Sequence, residues 1–372
     1  MVRVPVIAAA CVLAVWSVAC AAEPLKFEAD PAWPKPLPND WLMGQAAGVA
    51  VDAEDNIWVV QRPRTLTDDE KGASLNPPRS KCCKPAPPVL VFNQAGDLVR
   101  SWGGPGDGYT WPQNEHGIHV DGKGFVWLAG NGNEDGQILK FTREGKFVMQ
   151  IGKHGPQTNS LDTSRLGKPA QVTVDTEANE VYVADGYGNR RVVVFDSETG
   201  AFKRMWGAYG KPPTDDTLPA YSPGETPPAQ FRNPVHCVQV ARDGLVYVCD
   251  RMSNRVQIFR KDGTFVKEFF VERNTRGNGA IWELALWPDE KESLLLNADG
   301  ENNEVRTLNR DTGEVMGAFG RNGRNAGQFH WVHNLAVDSQ GNVFTTEVDT
   351  SKRAQKFMFR GDTVLRKRAA AQ

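Results

Sequence analysis

From Gly44 onward the chain sets short runs of alternating apolar and polar residues between turns rich in Asp, Asn and Gly. One stretch shows the unit whole. Val238-Gln239-Val240 reads as a strand, Ala241 to Gly244 as a tight turn, and Leu245 to Cys249 as a second strand. Val256 to Phe259 and Thr264 to Phe269 follow as third and fourth strands. Alternation with period two, punctuated by Gly and Asp, is the signal of strands joined as hairpins. The unit recurs six times, over about 44–110, 111–163, 164–228, 229–276, 277–325 and 326–366. Six four-stranded repeats predict an all-β chain, a six-bladed β-propeller filling residues 23–366, with 367–372 as a tail. Ring closure leaves only short strand edges exposed. The sixth unit lacks a convincing fourth strand, and Leu25 to Ala29 is the segment expected to complete it and latch the ring.

Aligning the repeats exposes one recurring position, the first residue of AGVAVD, HGIHVD, AQVTVD, HCVQVA, WELALW and HNLAVD. It is Ala47, His116, Ala170, His236, Trp282 and His333 in turn. Histidine therefore stands in repeats two, four and six. A closed ring would arrange His116, His236 and His333 threefold about its axis, as a metal site with an open fourth position requires. Zinc suits such a site best. His119, His154 and His330 do not share the position and are expected to pack or lie on the surface.

Two insertions interrupt the repeats, Pro63 to Pro88 and Lys211 to Pro228. One follows a second strand and the other precedes a first strand. Hairpin geometry puts both on the face carrying the histidines, where long loops tend to carry function. Residues just after second strands point the same way, and three of them, Arg62, Tyr187 and Arg251, break the repeat's polar signature. Arginines beside a metal suit a carboxylate substrate, which they can grip with two parallel hydrogen bonds. A tyrosine there suits general-base work, since neighbouring positive charge favours the phenolate. Asp185, Asn189, Arg191, Asp250 and Arg255 belong to the signature itself and are read as structural. No serine-nucleophile motif, phosphate-binding loop or dinucleotide fingerprint is found.

Composition changes the picture in two places. A formal net charge of −2 over 372 residues gives no reason to expect a nucleic-acid partner. Residues 1–22 read as an export signal: Arg3, an apolar run from Val6 to Val18, then Ala19-Cys20-Ala21-Ala22 for cleavage. That run is too short for a membrane span, and no later stretch is long enough. The chain is expected to be periplasmic or secreted, with a lipid anchor at Cys20 the lesser alternative. Export permits disulfides. Cys237 and Cys249 flank the Ala241–Gly244 turn almost symmetrically, which favours a cross-strand bridge. The state of Cys82 and Cys83 stays open.

The repeats resemble NHL-type blades, most clearly in VYVADGYGNRRVVVF at 181–195. More specifically, residues 44–360 resemble the lyase that completes peptide C-terminal amidation, peptidyl-α-hydroxyglycine α-amidating lyase. The resemblance rests on GQAAGVAVD (44–52) with Arg62, EHGIHVD (115–121), DGYGN (185–189), FRNPVHCVQV followed by CDR, and FHWVHNLAVD (329–338). It implies zinc on His116, His236 and His333, a catalytic Tyr187, and active-site arginines at Arg62 and Arg251. It also implies a structural calcium on the carbonyls of Val49 and Ile118 and on a side chain at Asn334, where the family has an aspartate. The family's cysteine after the tyrosine is Gly188 here, and its Met near the third histidine is Trp331. The implied reaction is cleavage of a carbinolamide N–C bond to an amide and glyoxylate or a similar oxo acid, on a small-molecule or peptide substrate ending in α-hydroxyglycine or a similar group; the chain is expected to be a monomer. The rivals are a zinc hydrolase such as a lactonase on the same scaffold, and a non-catalytic binding propeller.

Overall fold

The computed structural model describes residues 25–361 and Leu365; the export signal, Cys20 and the 367–372 tail lie outside the described residues. The described chain forms six four-stranded antiparallel sheets, each the inner-to-outer progression that the alternation predicts. The inner strands are Gln45–Val51, Glu115–Val120, Gln171–Asp175, Val235–Val240, Glu283–Leu286 and Val332–Val337. They are numbered here as blades one to six. The sixth sheet takes its outermost strand from the N-terminal side, Phe27–Asp30, two residues beyond the start expected from sequence. It pairs antiparallel with Arg353–Phe359, from Phe27 opposite Phe359 to Asp30 opposite Lys356. Apolar packing drives this closure, since the Phe27 ring lies against Trp287, Phe319 and Phe359.

The core lies between neighbouring sheets, where Trp58, Trp127, Trp282 and Trp287 are almost fully buried. Burial favours an acceptor for an indole N–H, and three of the four find one while Trp287 Nε1 does not. Trp58 and Trp127 donate from Nε1 to Asp52 and Asp121, both at 2.9 Å. Each aspartate closes its inner strand and also accepts N–H groups of the next turn. The signature residues act likewise. Arg191 pairs with Asp185 at 2.9 Å and Arg255 with Asp250 at 2.6 Å, and all four side chains are wholly buried. Cys237 and Cys249 form the expected bridge, with Cα atoms 4.9 Å apart, and Cys82 and Cys83 are bonded to each other.

One local feature positions the site. In blades one, two, four and six the register between first and second strands slips by one residue at the recurring position. Such a bulge leaves one residue unpaired and re-aims its side chain, here Ala47, the His116 and His236 regions, and His333. The inner strands crowd at this level. A Cβ on Gly48 would come 2.6 Å from the His116 carbonyl, and one on Gly117 2.5 Å from that of Ala170. Glycine is the residue that permits this approach.

Candidate active site

The three bulged histidines meet on the axis. Their ring nitrogens lie within 4.8 Å of one another, and ring centroids are 4.6 to 5.0 Å apart. Each imidazole is anchored from behind. His116 Nδ1 donates to the Ala170 carbonyl at 2.8 Å and His333 Nδ1 to that of Ala47 at 2.6 Å. His236 Nδ1 makes a short bond to the Trp282 carbonyl. These acceptors are the residues that hold the recurring position in blades three, one and five. Committing Nδ1–H to a carbonyl fixes the tautomer and leaves the Nε2 lone pair as the free donor. Burial is the largest cause pushing all three rings below the ordinary histidine range, with neighbouring positive charge adding to it. His333 falls to about 3, and His116 and His236 lie well below 6.5. The rings are therefore neutral at pH 7, as metal ligation requires.

Tyr187 reaches in from the loop after the second strand of blade three. Its hydroxyl lies 3.0 Å from His116 Nε2, 3.1 Å from His236 Nε2 and 3.1 Å from Arg251 Nη1. The Arg251 guanidinium lies 4.5 Å from the centroid of the Trp282 ring and 5.6 Å from that of Tyr187. Its Nε is buried with no partner, a donor ready for an acceptor. Arg62 is held by Nε on the Glu115 carbonyl at 2.7 Å and by Nη1 on Gln45 at 2.9 Å. Burial pulls its pKa down to about 10, which leaves it charged at neutral pH and electrostatically coupled to Tyr187 and His333. The structure thus brings His116, His236, His333, Tyr187, Arg62 and Arg251 to one end of the axis. His119, His154 and His330 lie elsewhere: His119 accepts the Val174 N–H, His154 faces Glu134, and His330 faces Asp349.

Sequence reasoning missed two supports. Trp282, which holds the recurring position in the fifth repeat, carries both the carbonyl for His236 and the ring beneath Arg251. Trp331 stands two residues before His333 with φ of 55°, uncommon for a bulky residue. It is pinned by its N–H on Asn303 and its carbonyl under the Val348 N–H, and its ring meets Trp282 at 5.4 Å.

One residue further along the inner strands, the level of Asn334 is built differently. The Asn334 amide oxygen accepts the Val49 N–H at 3.2 Å, and its Nδ2 donates to Glu283 at 2.6 Å. Glu283 also accepts from the Leu284 N–H and from Gln239. Burial raises it to about 8. Nothing in the segment WELALW marked this residue as a buried acid rather than a solvated one.

Comparison with known proteins places this geometry in context. No protein-family model matches the chain. Over 337 residues it is 26% identical to a peptidyl-glycine alpha-amidating monooxygenase B of Xenopus laevis, covering 85% of this chain and 34% of that protein. It is 25% identical over 248 residues to a probable peptidyl-alpha-hydroxyglycine alpha-amidating lyase of Caenorhabditis elegans, covering 64% of this chain and 62% of that one. NHL repeat-containing protein 3 of Mus musculus is 29% identical over 246 residues, 63% of this chain and 57% of the relative. The chain thus spans less than two thirds of the length of each of these relatives. Among solved structures a streptogramin B lyase superposes with a TM-score of 0.53 at 12% identity, covering 91% of this chain and 98% of that one, a likeness of fold. Homologues of this chain therefore include amidating enzymes and NHL-repeat proteins.

Proposed function

We propose that the chain is an exported, zinc-dependent lyase that splits the N–C bond of a carbinolamide bearing an adjacent carboxylate, giving an amide and glyoxylate or a similar oxo acid. The observation that carries this reading is the Tyr187 hydroxyl, held within 3.1 Å of two imidazole nitrogens and of the Arg251 guanidinium. A proton acceptor, a ligand set and a carboxylate clamp share one small volume.

The donor set fits the metal. Three neutral imidazoles, each with Nδ1 engaged on a carbonyl, match a three-histidine zinc site with an open position. Zinc bound there would supply Lewis acidity toward the substrate hydroxyl. Arg251 and Arg62 bind the carboxylate and orient the carbinol carbon toward Tyr187. Tyr187 takes the hydroxyl proton. The electron pair left on oxygen forms the new C=O bond as the C–N pair departs with nitrogen, and the proton held on Tyr187 passes to that nitrogen. Atoms balance without water. Burial of the arginines strengthens their hold on developing negative charge.

The calcium implied by the family resemblance does not fit. The Asn334 oxygen is engaged by the Val49 N–H, its NH2 group faces Glu283, and the Glu283 carboxyl already accepts several donors. A calcium ion needs about six to eight oxygen ligands. We assign no step or strut to calcium. Export is supported by two disulfides, which persist in oxidising compartments. The test is metal content measured together with glyoxylate release from an N-acyl-α-hydroxyglycine. About one zinc per chain with release is expected; a zinc-loaded protein inert toward such substrates would overturn the proposal.

A further inference from the structure

The second insertion, between the outer strand Phe202–Trp206 of blade three and the inner strand of blade four, has no part in the chemistry above. It roofs a cavity of about 430 Å3 on the histidine face, lined among others by Arg190, Leu218, Tyr221, Arg232, Asn233 and Met252. Resting on the lyase reading, we propose that this cavity is the subsite for the amide side of the substrate, and that it takes an aromatic or large apolar side chain next to the carbinolamide.

Position comes first. Met252 directly follows Arg251, and Asn233 donates to the carbonyl of Gly186, the residue before Tyr187, at 2.8 Å. The cavity wall thus adjoins Arg251 in sequence through Met252 and is tied to the residue before Tyr187 by the Asn233 hydrogen bond. A carbinol carbon carries a hydroxyl, a carboxylate and a nitrogen. With the hydroxyl at Tyr187 and the carboxylate on the arginines, the nitrogen and all that it bears must leave by another side, and the cavity whose wall carries Met252 and Asn233 is the place assigned to it.

The roof is already built. Tyr221 donates to the Arg273 carbonyl at 2.7 Å, Arg232 pairs with Glu225 at 2.6 Å, and Asp215 accepts from Ser160 at 2.5 Å. Arg190 and Arg232 also make short bonds to the carbonyls of Asp216 and Pro219. A pre-formed pocket binds without the cost of ordering its walls.

Chemistry sets the preference. Most polar groups in the lining are committed to the protein itself, Arg190 Nε to Asn233 and Asn233 Nδ2 to the Gly186 and Asn189 carbonyls, while Arg232 Nε is buried without a partner. Leu218, the Tyr221 ring over which Arg232 lies at 5.8 Å, and the adaptable Met252 remain. Apolar walls with few free polar groups suit an uncharged aromatic group.

The test compares N-acetylphenylalanyl-α-hydroxyglycine with N-acetyl-α-hydroxyglycine on the zinc-loaded protein. The wild type should favour the first by roughly 10-fold or more in kcat/KM, the scale of a pocket contact. Leu218→Asp, which puts a charge in the apolar wall, and Ala220→Trp, which fills the cavity, should each shrink that ratio to about 2-fold or less, chiefly through KM. A wild-type ratio near one, or a ratio kept by both variants, overturns the proposal. If the wild type turns over neither compound, the lyase reading fails and the subsite is judged alone by calorimetry with N-acetylphenylalaninamide. Binding by the wild type that both variants lose then sustains it, and absence of binding to the wild type ends it.

Discussion

Blades two, four and six and blades one, three and five hold the same position in the same strand and do opposite things with it. The even blades place an imidazole on the axis. The odd blades place Ala47, Ala170 and Trp282 there, and what they contribute to the site is a backbone carbonyl. Each even-blade ring is oriented by the blade that follows it around the ring. A sixfold scaffold thus becomes a threefold site by alternating ligand and support. The support comes from main chain, so the side chain at an odd position does not itself hold the imidazole, although Ala47 and Ala170 are fully buried and Trp282 also packs its ring against Arg251.

The largest effect should come from removing an even-blade ring. His236→Ala should lose most of the bound zinc and bring glyoxylate release to background, while circular dichroism shows the propeller intact, because blades cohere through apolar strands. Full zinc occupancy in that variant would remove His236 from the ligand set.

Next comes Tyr187→Phe, which leaves the alternation untouched. Zinc content and fold should stay near normal while kcat falls by roughly 10²–10⁴, the usual cost of losing a positioned general base. Arg251→Lys keeps charge but loses the planar fork. Its effect should be a KM raised about 10-fold, the scale of one good charged hydrogen bond, with kcat changed far less.

Acid acts on the even blades through their buried imidazoles, while Glu283 in blade five, raised to about 8, works with the opposite sign. All three rings are harder to protonate in the folded protein than in the unfolded chain, where histidine lies near 6.5. Acid therefore loads protons onto the unfolded state first and favours unfolding. This contribution is complete above about pH 6.5 and is lost progressively toward pH 3, where His333 itself takes a proton in the fold. Between pH 7 and 4.5 the Tm of metal-free His333→Gln should change less unfavourably than that of the wild type, since Glu283 contributes equally to both. An unchanged slope would show that His333 is not held neutral. The smallest effect belongs to an odd blade: Ala170→Ser keeps the carbonyl and should leave kcat/KM within about 2-fold, as for a substitution that removes no contact.

Much of this site was legible because a repeat protein aligns with itself. Comparing six segments singled out His116, His236 and His333, and the places where the second-strand signature breaks gave Arg62, Tyr187 and Arg251. The flanking of one turn by Cys237 and Cys249 located their bridge. What remained hidden depends on contacts between blades. Neither the bulges that turn the histidines inward nor the odd-blade carbonyls behind them leave a mark in local alternation. Glu283 sits in a strand that reads as apolar, so its burial beside Asn334 had no signal. The cavity under the second insertion arises from loops folding over a neighbouring blade, which no periodicity describes.

The most direct test of the central claim is the identity of the products formed from N-benzoyl-α-hydroxyglycine in water enriched in oxygen-18. Cleavage of the N–C bond with Tyr187 as base predicts benzamide free of solvent label, in equal amount with glyoxylate, the glyoxylate itself being uninformative because it exchanges oxygen with water. Benzoic acid carrying one solvent oxygen would show instead that water attacks the acyl carbon, and would contradict the account.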